Sequence, residues 1–117
     1  MKKFVFDYDG KDDVLYIANA GRDVEESIEI SEDIVLDLDM EGKIVGVEIF
    51  YASELFKLFD GRMDKEFLKN LKEVDLQYKE SRDMWLLVIG LQSGHQRIIQ
   101  PLPFLKKSKY IGPLVTS

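Results

Sequence analysis

Cysteine is absent from the chain, which excludes disulfide frameworks, thiolate nucleophiles and cysteine-ligated zinc or iron–sulfur centres. Histidine occurs once, at His95, so a multi-histidine metal centre is excluded and a single candidate for a histidine general base remains. No apolar run approaches the roughly 18 residues of a membrane span, and no membrane partner is expected. The N-terminus turns acidic at Asp7 after three apolar residues, too soon for a signal peptide, so a cytoplasmic protein is expected. Basic residues are outnumbered, 16 Lys and Arg against 22 Asp and Glu, for a net charge of −6. That balance argues against nucleic acid or an anionic membrane surface as the main partner. Glycine-rich phosphate loops are also missing.

What is present suits one domain. A chain of 117 residues can bury a real core without covalent staples. Its 45% hydrophobic and 32% charged residues describe a soluble globular chain rather than a disordered one.

Strand patterns dominate the first half. Residues 3 to 18 read as a hairpin, two apolar strands around the polar turn Asp9-Gly10-Lys11-Asp12-Asp13. Val24 to Ile30 reads as a third strand whose apolar face is interrupted by Glu26, which suits an edge. Ile34 to Ile49 forms the clearest pattern. A two-residue Glu41-Gly42 loop would set Leu38 against Val45, Leu36 against Val47 and Ile34 against Ile49, all six on one face. The period then becomes helical over residues 55–74. Ser53 is the expected N-cap of a first short helix ended by Gly61. Asp64 is the expected cap of a second, with Met63 stapled onto Leu68 and a stripe of Phe67, Leu68, Leu71 and Val74. A second β region over 75–105 holds strands at Val74 to Glu80, Met84 to Leu91 and Arg97 to Gln100. Pro101 and Pro103 end regular structure, and 106–117 reads as a tail. Tyr8 to Ile17 also overlies Tyr78 to Leu87 at an offset of 70, an echo that any two hairpins would produce or that marks a diverged repeat.

Few residues carry chemistry. Asp37 to Glu48 nearly fits a calcium loop, with acidic residues at its first, third, fifth and twelfth positions and a central glycine. The flanks alternate with period two, however, where such a loop needs helices, so a hairpin turn is the reading. Asp7, Asp9, Asp12 and Asp13 crowd one turn, and Asp37, Asp39 and Glu48 share one sheet face. Without an apolar pocket or positioned cation to split their pKa values, these read as solvated carboxylates. His95 falls at a hairpin tip, and neighbouring Ser93 lacks a nucleophile-elbow context. The basic cluster Lys106-Lys107-Ser108-Lys109-Tyr110 is too small to hold nucleic acid and reads as a solvated tail. No catalytic, cofactor-binding or metal-ligating residues are expected, and no cofactor.

The Tyr8-Asp9-Gly10 turn with its Leu15-Tyr16-Ile17 strand, followed by Ile34 to Ile49 with its acidic turn and Gly46-Val47-Glu48-Ile49, resembles the prokaryotic domain-of-unknown-function family 2283. The resemblance covers roughly residues 5 to 54, and residues 55–117 extend beyond the usual short member. It implies a fold, with no catalytic residues to carry over. Because small families of this kind can be encoded beside toxin genes, it also implies an antitoxin-like or regulatory role as an alternative.

The expected fold class is α+β: an antiparallel β-sheet built from hairpins, about seven or eight strands in one sheet, with two short helices packed on it. The expected function is non-enzymatic, a self-associating or protein-binding module. A hydrolytic enzyme or divalent-metal binder using the acidic turns is the further alternative. Met84 to Leu91 is apolar on both faces, which implies cover on both sides. The helices cover one. Either the N-terminal hairpins fold over the other or a second copy does, through a face carrying Trp85, Leu87 and Ile89 or one carrying Met84, Leu86 and Val88. A homodimer with Trp85, Leu87 and Ile89 at its interface is the expectation, with a small protein partner as the other candidate.

Overall fold

The computed structural model describes residues 4–103 and 105–107. Strands β1 (Phe4–Asp9) and β2 (Val14–Asn19) form the first hairpin, followed by β3 (Glu26–Glu29), β4 (Ile34–Leu38) and β5 (Ile44–Phe50). Two short helices come next, α1 (Ala52–Phe59) and α2 (Lys65–Lys69). Then come β6 (Leu71–Glu80), β7 (Met84–Ser93), β8 (Gln96–Pro101) and the two-residue β9 (Leu105–Lys106). All pairings are antiparallel, and the fold is α+β.

The strands make two sheets rather than the single sheet expected. One is ordered β1-β2-β5-β4-β3; the other is β6-β7-β8, with β9 also paired to β7. The inward side chains of both sheets and of the helices join one hydrophobic cluster. Alternation explains why: β2 sends in Leu15 and Ile17, β4 sends in Ile34, Leu36 and Leu38, and β7 sends in Trp85, Leu87, Ile89 and Leu91. A cross-sheet hydrogen bond from the Ile44 amide to the Tyr78 hydroxyl, 3.2 Å, ties the layers. Among the described residues no helix is long and apolar enough to cross a membrane.

The central hairpin keeps its expected register through Ile34–Ile49, Leu36–Val47 and Asp37–Gly46, but Leu38 pairs with Ile44 rather than Val45. The turn is the cause. The Asp39 carboxylate accepts from the amides of Glu41 and Lys43, both at 2.9 Å, and Gly42 takes φ +78°. This makes a three-residue loop, and a bulge at Val45 restores the register. The third strand is shorter than expected and stands at the sheet edge, leaving Val24 exposed.

The helical segment is also shorter than 55–74. Asp64 caps α2 as expected, accepting from the Phe67 amide at 2.9 Å, and Met63 and Leu68 are both buried. The helix stops at Lys69, so Leu71 and Val74 belong to β6, not to a helical stripe. The two hairpins of the internal echo both form, yet Tyr8 pairs with Leu15 while Tyr78 pairs with Leu87, past the equivalent Trp85.

Candidate functional site

The four carboxylates of the first turn separate: Asp7, Asp9 and Asp12 are exposed, with Asp9 accepting from the amides of Lys11 and Asp12 at 2.9 and 3.2 Å. Asp13 is buried and left-handed, φ 57°, at the end of the first turn. Its carboxylate accepts the Tyr8 hydroxyl at 2.6 Å, the Ser53 hydroxyl at 2.8 Å and the Ser53 amide at 3.0 Å. Ser53 is therefore not the N-cap of α1. That position belongs to Tyr51, whose φ of 53° is also left-handed and whose side chain makes no cap bond. Asp13 replaces the missing local cap from forty residues away in sequence, satisfying donors that a helix start leaves open. Burial alone would raise the Asp13 pKa. The Tyr8 hydroxyl, the Ser53 amide and hydroxyl and the charge of Lys65 outweigh it and hold the carboxyl below its ordinary value. The same contact raises the Tyr8 phenol, through burial first and the Asp13 bond second. With its acceptor sites engaged, Asp13 acts as a clasp between β1, β2 and α1.

Asp37 and Glu48 share the outer face of the first sheet as expected, but Asp39 does not join them. Asp39 curls into its own turn and pairs with Arg22 at 2.7 Å. Asp37 lies across Gly46, accepting from the Tyr16 hydroxyl at 3.1 Å and the Ser27 hydroxyl at 2.7 Å. A side chain at position 46 would meet Asp37 Oδ2 at 3.1 Å, a tight approach that would press on the bridge. Burial and then the Asp37 bond raise the Tyr16 phenol. The outer face of the first sheet is acidic: one row crosses all five strands as Asp7, Tyr16, Glu48, Val35 and Glu29, beside Asp37 in the next. Among the described residues no three metal-ligating side chains converge as a metal site needs. His95 is exposed on its turn.

Trp85, Leu87 and Ile89 were expected on a face open to a second copy. The structure corrects this: they are 4%, 0% and 0% exposed, inside the chain's own core. The first sheet and the helices supply the cover, so these three residues are not available to a partner in the folded chain. The Trp85 indole N–H is buried without an acceptor. Lys107 lies over its ring at 5.1 Å and pairs with Glu80 at 2.6 Å. Lys107 is thus anchored rather than part of a solvated tail; Ser108 to Ser117 of that expected tail lie outside the described residues.

The face of β7 that points away from the core carries Met84, Leu86 and Val88, all half-buried. Ile99, 64% exposed, and Pro101 continue it onto β8. Gln77 and Lys79 flank it on β6. Asp75 crosses Gly90 to reach Arg97 at 2.6 Å, so the one ion pair on this face among the described residues is internally neutralised. An apolar strip with a polar rim is the composition of an interaction surface rather than of an ordinary solvated face.

The family model for the protein of unknown function DUF2283 matches residues 6–53, which hold most of β1, all of β2 to β5 and the whole Asp13 clasp. A curated relative, the uncharacterized protein MJ0789 of Methanocaldococcus jannaschii, is 34% identical over 90 residues, covering 76% of this chain and 72% of its own. The chain belongs to the DUF2283 family. A match of that length must take in α1, α2 and β6 wherever it lies, so the likeness to the archaeal relative runs beyond the residues of the family model. No solved structure matches the chain. The family carries no described activity to transfer. For this DUF2283 protein the outer face of the second sheet is the candidate functional surface, and sequence reasoning reached it only as the second of two alternating faces on β7.

Proposed function

We propose that the protein is a non-enzymatic interaction module that works as a homodimer, joined through the outer face of its second sheet. The observation that carries the reading is the apolar strip Met84, Leu86 and Val88 continued by the exposed Ile99. Charge supports a second copy as the occupant. The broad acidic face of the first sheet would repel its own image, whereas the strip is apolar and its Asp75–Arg97 pair is already neutral. A two-fold contact that places the strip against itself is the commonest way soluble chains close an assembly. The non-enzymatic part of the reading is supported by the carboxylates: Asp13 holds helix α1, Asp39 its own turn, and Asp37 the neighbouring strands through Ser27 and Tyr16.

Light scattering after size exclusion tests it. The expected particle has twice the 13.6 kDa of the chain at micromolar concentration, and Val88→Lys with Ile99→Glu halves it while the circular dichroism is kept. A 13.6 kDa particle for the unaltered chain would overturn the proposal, as would a dimer indifferent to both substitutions.

A further inference from the structure

A groove lies where the β3–β4 turn meets α1 and β9. One part, about 380 Å³, is lined by the apolar Ile30, Ile34, Leu55 and Leu105 together with Asp33 and, from β9, Lys106. A shallower part of about 470 Å³ shares Asp33 and Leu55 and runs along α1 past Glu54 to Leu58. Leu58 is 82% exposed, far more than a leucine on a core-packed helix needs, and Tyr51 beside it is 58% exposed. Tyr51 also holds a left-handed backbone, φ 53°, of the kind that persists only where the surrounding structure enforces it. Among the described residues neither Asp33 nor Glu54 has an ion-pair partner.

We propose that this groove binds an amphipathic segment of a partner protein that carries lysine or arginine beside a large apolar side chain. The apolar lining takes the anchor, and the cation goes to the part along α1, which Asp33 and Glu54 line and no lysine or arginine does. A net charge of −6 draws such a segment in from solution. A second copy fits poorly here, because a two-fold contact would bring Glu54 and Asp33 against their own images. This surface is separate from the one assigned to self-association, so either assignment can fail without the other.

The test uses the full chain and a fluorescein-labelled amphipathic leucine–lysine helix peptide as the probe, read by anisotropy in physiological salt, with the leucine–glutamate counterpart as control. The leucine–lysine peptide is expected to bind and the control not. Leu58→Asp, and separately Asp33→Asn with Glu54→Gln, should each weaken binding by about tenfold, since all three side chains are on the surface and the fold is kept. Asp7→Asn with Glu48→Gln, on the acidic sheet face, should leave it unchanged. Three results would overturn the proposal: no binding to the full chain, binding that falls with the sheet-face pair but not with the groove variants, or self-association of the peptide-free chain that Leu58→Asp abolishes.

Discussion

Removing the Asp13 carboxylate is the sharpest test of how the first hairpin holds α1. In Asp13→Ala, the buried Ser53 amide and hydroxyl lose their acceptor together. Hydrogen bonds to a charged group are worth about 1.5–3 kcal/mol each, and an unpaired buried donor keeps its full desolvation cost. Tyr8 is only half-buried, so its hydroxyl turns to water and adds little. Alanine at φ 57° adds about 1 kcal/mol that aspartate largely avoids. Asp13→Ala should therefore cost about 3–5 kcal/mol. Asp13→Gly removes the carboxylate without the backbone strain and should fall lower. Asp13→Asn keeps an acceptor oxygen and the left-handed tolerance, and should cost about 1–2 kcal/mol. The assay is urea unfolding followed by the fluorescence of the single tryptophan, with far-ultraviolet circular dichroism beside it. The same carboxyl sets a pH dependence. Its folded pKa lies below the ordinary 3.8, so the stability it contributes is complete at neutral pH. That contribution falls away as the pH drops through the unfolded value and on through the folded one. Asp13→Asn should flatten that acid limb. An alanine variant within about 0.5 kcal/mol of the parent would refute the clasp, as would an asparagine variant costing as much as alanine.

Gly90→Ala places a methyl 2.6 Å from Asp75 Oδ2, so it should displace that carboxylate, break its pair with Arg97 and cost about 1–2 kcal/mol. In an Asp75→Ala background most of that cost should vanish in thermal melts, and an undiminished cost would show that something else crowds Gly90. Trp85→Lys should abolish the fold by circular dichroism rather than yield a folded monomer, because the ring is 4% exposed in the chain's own core. A folded monomer from that variant would restore the tryptophan to an interface. Trp85→Phe should cost only about 1 kcal/mol, since the loss of packed area is offset by removing an indole donor that has no acceptor; a loss as large as that of Trp85→Ala would refute the offset.

Local periodicity was enough for most of the elements, and for a physical reason. Side chains alternate in a strand whatever lies across the sheet, so Ile34, Leu36, Val47 and Ile49 announce one buried face without knowledge of their cover. The Asp64 cap was legible because its partner, the Phe67 amide, is three residues away. Register within one residue of the turn was not, because it turns on where the Asp39 carboxylate points. The span of the helices was misjudged because an apolar stripe of Phe67, Leu68, Leu71 and Val74 satisfies a helix as well as it satisfies a helix followed by a strand.

What the amino-acid sequence determined by itself was therefore the antiparallel hairpins, the pair of short helices, the family, and the apolar character of both faces of Met84 to Leu91. Only the tertiary structure decided which side the chain's own core covers. A strand apolar on both faces is symmetric in its own pattern, and the choice between Trp85, Leu87, Ile89 and Met84, Leu86, Val88 depends on which way the sheet faces the rest of the chain. The same holds for Asp13. Nothing near it in sequence distinguishes it from Asp12, yet the fold brings Ser53 to it and leaves Asp12 in water, because a helix that begins at a left-handed tyrosine must find its cap across space.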